Sequence, residues 1–125
     1  MILDTNALSA WADGNPACRA PLAAASRLVV PVIVLGEYLY GIRQSRHRAR
    51  YEEWLTCNLL HAEVRPASPT TASHYADLRI RLKHSGSPIP ANDLWIAALT
   101  LELRFPLLSN DGHFDQIPGL IRLPF

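Results

Sequence analysis

Lysine is nearly missing from this 125-residue chain: eleven of its twelve basic residues are arginine, and Lys83 stands alone. With a formal net charge of +1 the chain is no polycation, but its basic surface is made of the residue that forks onto phosphates and carboxylates. Cysteine is scarce too. Cys18 and Cys57 lie far apart with no CxxC or Cys/His spacing, which excludes a zinc ribbon or a disulfide scaffold and leaves two small buried thiols in a reducing compartment. The longest apolar run, Leu28 to Gly36, is well short of the roughly 20 residues of a membrane helix. No basic n-region or apolar h-region opens the chain, and Asp4 arrives too early for a signal peptide, so a soluble, cytoplasmic protein is expected. Glycine-rich GxGxxG and P-loop patterns are absent as well, and with them nucleotide binding of those two kinds.

Hydrophobic residues make up 49% of the chain, enough for the core of one domain spanning residues 1–125. Met1-Ile2-Leu3 reads as a short buried strand, after which a helix begins with Thr5 or Asn6 near its cap. Asn15-Pro16 opens a short helix running to about Ala25, and Leu28-Val29-Val30 is a second buried strand. From Val32 to Ile42 the chain is apolar almost all round, as in a helix covered on most sides. Arg46 to Leu60 is amphipathic, with Tyr51, Trp54, Leu55 and Leu59 on one side. Glu63 to Pro66 reads as an edge strand, Ser68-Pro69 opens a helix that Gly86 ends, and Asn92 caps another helix with Asp93 in its first turn. Phe105 to Leu108 and Leu120 to Leu123 complete the strands. Alternation of strands and helices predicts an α/β fold with a mostly parallel sheet covered on both faces.

Against this apolar background four carboxylates stand out. Asp4, Glu37, Asp93 and Asp111 each sit alone within or beside a core-forming segment. Burying an unpaired carboxylate costs several kcal/mol or raises its pKa until it neutralises, roughly by the few kcal/mol known for buried polar groups. Asp4 and Asp111 fall at strand ends, Glu37 and Asp93 on helices, and in a parallel sheet all four can meet at the carboxyl edge. Converging carboxylates repel one another unless a cation lies between them, and hard divalent ions such as Mg²⁺ and Mn²⁺ take oxygen ligands. Thr5, Asn6 and Ser109 add hydroxyl and amide groups around the same place. Metal-assisted phosphodiester hydrolysis is the chemistry that fits.

Each member also has a plainer reading. Asp4 can cap a helix, Asp93 can answer a helix dipole, Asp111 can be a turn residue in Ser-Asn-Asp-Gly, and Glu37 can be a partly exposed edge residue or a salt-bridged core group. Asp13, Asp77, Glu52, Glu53, Glu63 and Glu102 read as solvated faces or caps, and Asp115 as a surface turn. Because Asn6 stands two residues after Asp4, the Asp-x-Asp pair of an aspartyl-phosphate phosphatase is missing.

Four pieces, Leu3-Asp4-Thr5-Asn6, Glu37-Tyr38-Leu39-Tyr40-Gly41, Asp93-Leu94-Trp95-Ile96-Ala97-Ala98 and Leu108-Ser109-Asn110-Asp111-Gly112-His113-Phe114, follow one another in order and are succeeded by Ile117-Pro118-Gly119-Leu120. In these the chain resembles the PIN domain family, and within it the small VapC-type toxins of bacterial toxin–antitoxin pairs. The resemblance spans essentially the whole chain. It implies a three-layer α/β/α sandwich and a Mg²⁺- or Mn²⁺-dependent ribonuclease, with Asp4, Glu37, Asp93 and Asp111 as the acidic metal site and Thr5 and Asn6 supporting the first carboxylate. Ser109 stands where many relatives look to have Thr, which keeps the hydroxyl. The resemblance further implies RNA as substrate, a cognate antitoxin as partner and a homodimer.

Two basic groups remain, Arg43, Arg46, His47, Arg48 and Arg50, then Arg79, Arg81, Lys83 and His84. They can line a route for the RNA backbone, pair with an antitoxin segment, or be ordinary solvated helix faces. His113 reads as a rim residue and Phe114 as a core anchor. The competing function is a non-catalytic PIN-fold module that binds RNA or an antitoxin without turnover.

Overall fold

Five short strands build one sheet: β1 (Ile2–Leu3), β2 (Val29–Pro31), β3 (Glu63–Arg65), β4 (Leu107–Leu108) and β5 (Arg122–Leu123). A computed structural model describes all 125 residues of the chain. The strands lie in the order β3-β2-β1-β4-β5, and every pairing is parallel. Ile2, Leu3, Val29, Val30, Leu107 and Leu108 are wholly buried, as parallel strands covered on both faces must be, which explains their unbroken apolar sequence. The edge strand β3 is only partly covered.

Six helices cover the sheet: α1 (Thr5–Ala12), α2 (Arg19–Ala24), α3 (Val32–Arg43), α4 (Arg48–Asn58), α5 (Pro69–His84) and α6 (Ala91–Leu103). From β1 the chain steps outward to β2 and β3, then jumps back across β1 to β4. Right-handed crossovers therefore place α1 to α4 on one face and α5 and α6 on the other, the expected three-layer sandwich. Aromatic pairs hold each layer together. Trp11 on α1 meets Trp54 on α4 edge to face at 5.0 Å between ring centroids, and Tyr75 on α5 stacks on Trp95 of α6 at 4.1 Å. No helix is long and apolar enough to cross a membrane.

Element ends follow local chemistry. Ser68 caps α5 in a reciprocal box with Thr71, with Pro69 at the first helical position, and Gly86 leaves that helix at φ +70°. Three expectations need correction. The cap of α1 is Asp4, not Thr5 or Asn6, because the Asp4 carboxylate accepts from the Thr5 amide. The residue before α6 is Pro90, whose fixed φ starts the helix early, so Asn92 lies inside the first turn and caps nothing. Cys18 is buried as expected, but Cys57 is exposed, on the side of α4 away from Leu55.

The order in which strands are added to the sheet reverses at β1, which has β2 on one side and β4 on the other. In open parallel sheets such a switch point leaves a crevice beyond the strands' carboxyl ends. Asp4 follows β1 there, and Ser109 follows β4.

Candidate metal centre

Asp4 is 5% exposed, and both its oxygens are engaged. Oδ1 accepts from the Thr5 amide at 2.7 Å, while Oδ2 accepts from the Asn6 side-chain amide at 2.5 Å and the Ser109 hydroxyl at 2.6 Å. Ser109 is wholly buried and acts as a junction, since its Oγ also accepts from Asn6 Nδ2 at 3.2 Å and from the Asp111 amide at 3.0 Å. Register produces this arrangement: β1 pairs with β4 so that Leu3 lies beside Leu108, and the next residues of both strands meet. Burial raises the Asp4 pKa, with the Asp111 and Glu37 charges adding to it against the opposing Ser109 and Thr5 hydrogen bonds.

Glu37, on α3, is held from two sides. Thr5 Oγ1 donates to its Oε2 at 2.5 Å and Asn92 Nδ2 to its Oε1 at 2.5 Å. Through Thr5 the Glu37 carboxylate joins the Asp4 network, and through Asn92 it ties α3 to α6, the helix that carries Asp93. Asn92 is the supporting residue that sequence reasoning missed. Reading it as a cap concealed its free side chain, although Pro90 two residues earlier was the available signal that the helix had already begun.

Asp93 and Asp111 are differently placed. Asp93 lies in the first turn of α6, where the dipole favours its charge, and Asp111 opens a short 3₁₀ turn (Gly112–Gln116) by accepting from the His113 amide at 2.8 Å. Their side chains meet a third group, His113, whose Nδ1 lies 3.6 Å from Asp93 Oδ2 and 3.3 Å from Asp111 Oδ1. Ligand atoms of the three residues fall within 4.8 Å of one another, close enough to share one ion. Burial raises the Asp93 pKa, the Asp4 and Asp111 charges raise it further, and His113 works the other way. All four carboxylates thus share one field, coupled through Asp4 and Asp111. The plainer readings survive beside this one, because Asp4 and Asp111 do cap their elements.

A divalent cation suits this donor set. Oxygen ligands dominate it, one imidazole nitrogen stands at its edge, and a cation removes the like-charge repulsion that raises Asp4 and Asp93. Phe114 beside it is wholly buried, the anchor expected of it, whereas half-exposed His113 stands at the rim and faces the acids.

The basic residues divide. Arg43 and Arg48 both approach Glu52, at 3.9 and 2.8 Å, Arg50 lies over the Tyr51 ring, and Arg46 contacts only His47 among side chains. All four surround the turn from α3 to α4, one side of the Glu37 end of the site. Arg79 lines a groove of about 490 Å³ between α5 and α6 and donates to Tyr75, whereas Arg81 faces a separate surface with Asp77 and His84. Asp115 pairs with Arg122 at 2.7 Å, and Glu102 accepts from Ser68 and Thr71 at the start of α5, so both serve structure.

A parallel 3-2-1-4-5 sheet with an acidic cluster beyond the switch point defines a family. Residues 1–120 match the PIN domain model, and the chain belongs to the PIN domain family. Within it the chain is similar to Ribonuclease VapC2 of Rickettsia felis, 31% identical over 101 residues that cover 80% of this chain and 75% of that protein. Ribonuclease VapC5 of Mycobacterium tuberculosis is 28% identical over 120 residues, 94% of this chain and 87% of that one. The fold matches the solved structure of VapBC2 from Rickettsia felis, bound to a DNA fragment from their promoter, with a TM-score of 0.90 and 27% identity over 99% of this chain and 97% of that one. The resemblance and the sandwich read from the sequence are both borne out.

Proposed function

We propose that this protein is a Mg²⁺- or Mn²⁺-dependent endoribonuclease, the toxin of a toxin–antitoxin pair, acting on RNA in the cytoplasm. The observation that carries this reading is the convergence of Asp93, Asp111 and His113 within 4.8 Å, beside a buried Asp4 whose field they share. The names of the similar VapC ribonucleases support the activity, and the VapBC complex supports an antitoxin partner. A homodimer and an RNA path over Arg43, Arg46, Arg48 and Arg50, extended by Arg79 and Arg81, belong to the same proposal.

Asp4, Glu37, Asp93 and Asp111 would hold the cation. When bound, it stabilises charge on the scissile phosphate and lowers the pKa of a water. The chain's own part is positional. Thr5, Asn6 and Ser109 fix the position of Asp4 by donating to it, and Thr5 and Asn92 aim Glu37, each of whose oxygens accepts one of these bonds and retains capacity for another. Asp93, with only His113 near its oxygens, has the most capacity left and is suited to metal or water. His113 offers its donor where negative charge is densest.

Cleavage of single-stranded RNA by the purified protein should appear with Mg²⁺ or Mn²⁺, stop with EDTA, and fall by about a hundred- to a thousandfold in folded Asp93→Asn. Undiminished cleavage by the folded variant would sink the proposal, and tight RNA binding without any shortening across metals and pH would favour the binding-module reading.

A further inference from the structure

The groove of about 490 Å³ between α5 and α6 reaches the helix end that carries Asp93. Ala91 and Leu94 line it from either side of Asp93 in the sequence, so whatever fills it is a neighbour of the acidic cluster. Its volume lies within the roughly 300–1,000 Å³ typical of ligand sites.

Its lining is of two kinds. Leu82, Ile89 and Leu94, all buried, make an apolar floor. Arg79 and Lys83 are exposed and stand one turn apart on α5, and no carboxylate pairs with either of them or lines the groove. Like charges four residues apart destabilise a helix, so this pair carries a repulsion that a bound anion relieves. Arg79 is steadied from within the protein. One guanidinium nitrogen donates to the Tyr75 hydroxyl at 3.0 Å, and the Tyr75 ring is stacked on Trp95 at 4.1 Å between centroids. The rest of the guanidinium's donors and all three of the Lys83 ammonium have no protein partner. Aliphatic side chains with two free cations beside them match a nucleotide, whose base presents uncharged faces and whose phosphate carries the negative charge.

We propose that this groove is a nucleotide subsite for the substrate strand. The apolar floor receives a base, Arg79 and Lys83 hold the phosphate joined to it, and the phosphodiester that meets the acidic cluster lies further along the same strand. A base held by its faces is accepted whatever its edge carries, and the one hydroxyl in the lining, that of Tyr75, is already engaged by Arg79, so the subsite is tolerant of sequence. Its task is register: a strand seated here brings its backbone to Asp93. This inference rests on the ribonuclease reading above.

Three variants probe it. Arg79→Ala combined with Lys83→Ala removes the cations, Ala91→Phe fills the groove, and Arg19→Ala removes a cation from α2 on the opposite face of the sheet. All replace exposed side chains and should melt within about 3 °C of wild type. Binding of a labelled single-stranded oligoribonucleotide is followed by fluorescence anisotropy across a salt series with EDTA present. In the double variant the slope of log K against log salt should shrink by roughly 0.7 to 1.4, the share of one or two single-strand phosphates, and affinity should fall about tenfold. Ala91→Phe should lose about as much affinity with less change in slope, and Arg19→Ala should lose neither. On strands shortened one nucleotide at a time from each end, wild-type kcat/KM with Mg²⁺ should drop about tenfold at one step that is missing in Ala91→Phe. Wild-type affinity in both the double variant and Ala91→Phe, or an equal loss in Arg19→Ala, overturns the subsite and leaves the ribonuclease standing. So does a changed sedimentation coefficient with RNA binding intact, which assigns the groove to a second copy of the chain. Weakened binding in the groove variants of a protein that cuts no strand with any divalent metal keeps the groove as an RNA site and overturns the ribonuclease.

Discussion

Asp4 and Asp93 are both aspartates at helix starts, both short of water, and both raised in pKa by burial, yet they stand in opposite hydrogen-bonding circumstances. Asp4 accepts from an amide, a side-chain amide and a hydroxyl, and Glu37 beside it has a donor on each oxygen. Asp93 has only a histidine 3.6 Å away, shared with Asp111. One half of the cluster is a finished network that defines position. The other half is open, with oxygens that lack donors. The division separates the residues that build the site from those with most left to offer a ligand.

The sharpest way to break the comparison is to neutralise one carboxylate on each side. Asp4→Asn and Asp93→Asn should each reduce metal-dependent cleavage by about a hundred- to a thousandfold, the loss typical of removing a key electrostatic group. Their metal-free stabilities should move apart. In Asp4→Asn an amide NH₂ faces two donors, which should cost about 1–3 kcal/mol in denaturant unfolding. Asp93→Asn relieves the burial of a charge and its repulsion by Asp4 and Asp111, which outweigh the His113 and helix-dipole contributions lost with it, and should raise the melting temperature by about 2–4 °C. Equal destabilisation by both would dissolve the distinction.

Next in size is the response to pH and metal. Asp4 and Asp93 titrate above the ordinary carboxylate value of 3.8, so the native state holds protons that the unfolded chain has released. Below pH 3.8 both states are protonated and these two groups are without effect. As pH rises through their native pKa values, the metal-free protein loses stability, and the loss levels off once both are ionised. Mg²⁺ should therefore raise the melting temperature more at pH 8 than at pH 5, a difference that shrinks in Asp93→Asn. Thermal melts with EDTA and with Mg²⁺ across that range measure it.

Smaller effects should come from the supporting groups. Ser109→Ala deletes the junction between Asp4, Asn6 and Asp111 and should cost about 1–2 kcal/mol of stability together with roughly tenfold in cleavage. Asn92→Ala frees one oxygen of Glu37 at a partly exposed site, so cleavage should fall several-fold with stability changed by less than about 0.5 kcal/mol. If Asn92→Ala unfolds the protein instead, the residue belongs to the scaffold.

Legibility in the sequence followed the same division. The buried strands were readable because Ile2-Leu3, Val29-Val30 and Leu107-Leu108 leave no polar alternative, and the four acids were readable because each interrupts an apolar stretch. Burial of Ser109 and its bond to Asp4 depend on a pairing between residues 105 positions apart, so the sequence placed Ser109 near the pocket without showing which carboxylate it meets. Asn92 was opaque for a physical reason, being a common capping residue beside a helix start. Cys57 misled through composition, since cysteine is usually buried and the α4 face it occupies is not.

The strand order has a consequence in time. Asp4 and Ser109 lie 105 positions apart, and the β1–β4 pairing that joins them has to wait until both have emerged, at roughly 5–20 residues per second. A growing chain that has folded β1, β2 and β3 carries Asp4 and Glu37 but neither Ser109 nor Asp111. The β1–β4 pairing is therefore the step that completes the cluster, since without it Asp4 lacks both its Ser109 bond and the Asp111 charge beside it.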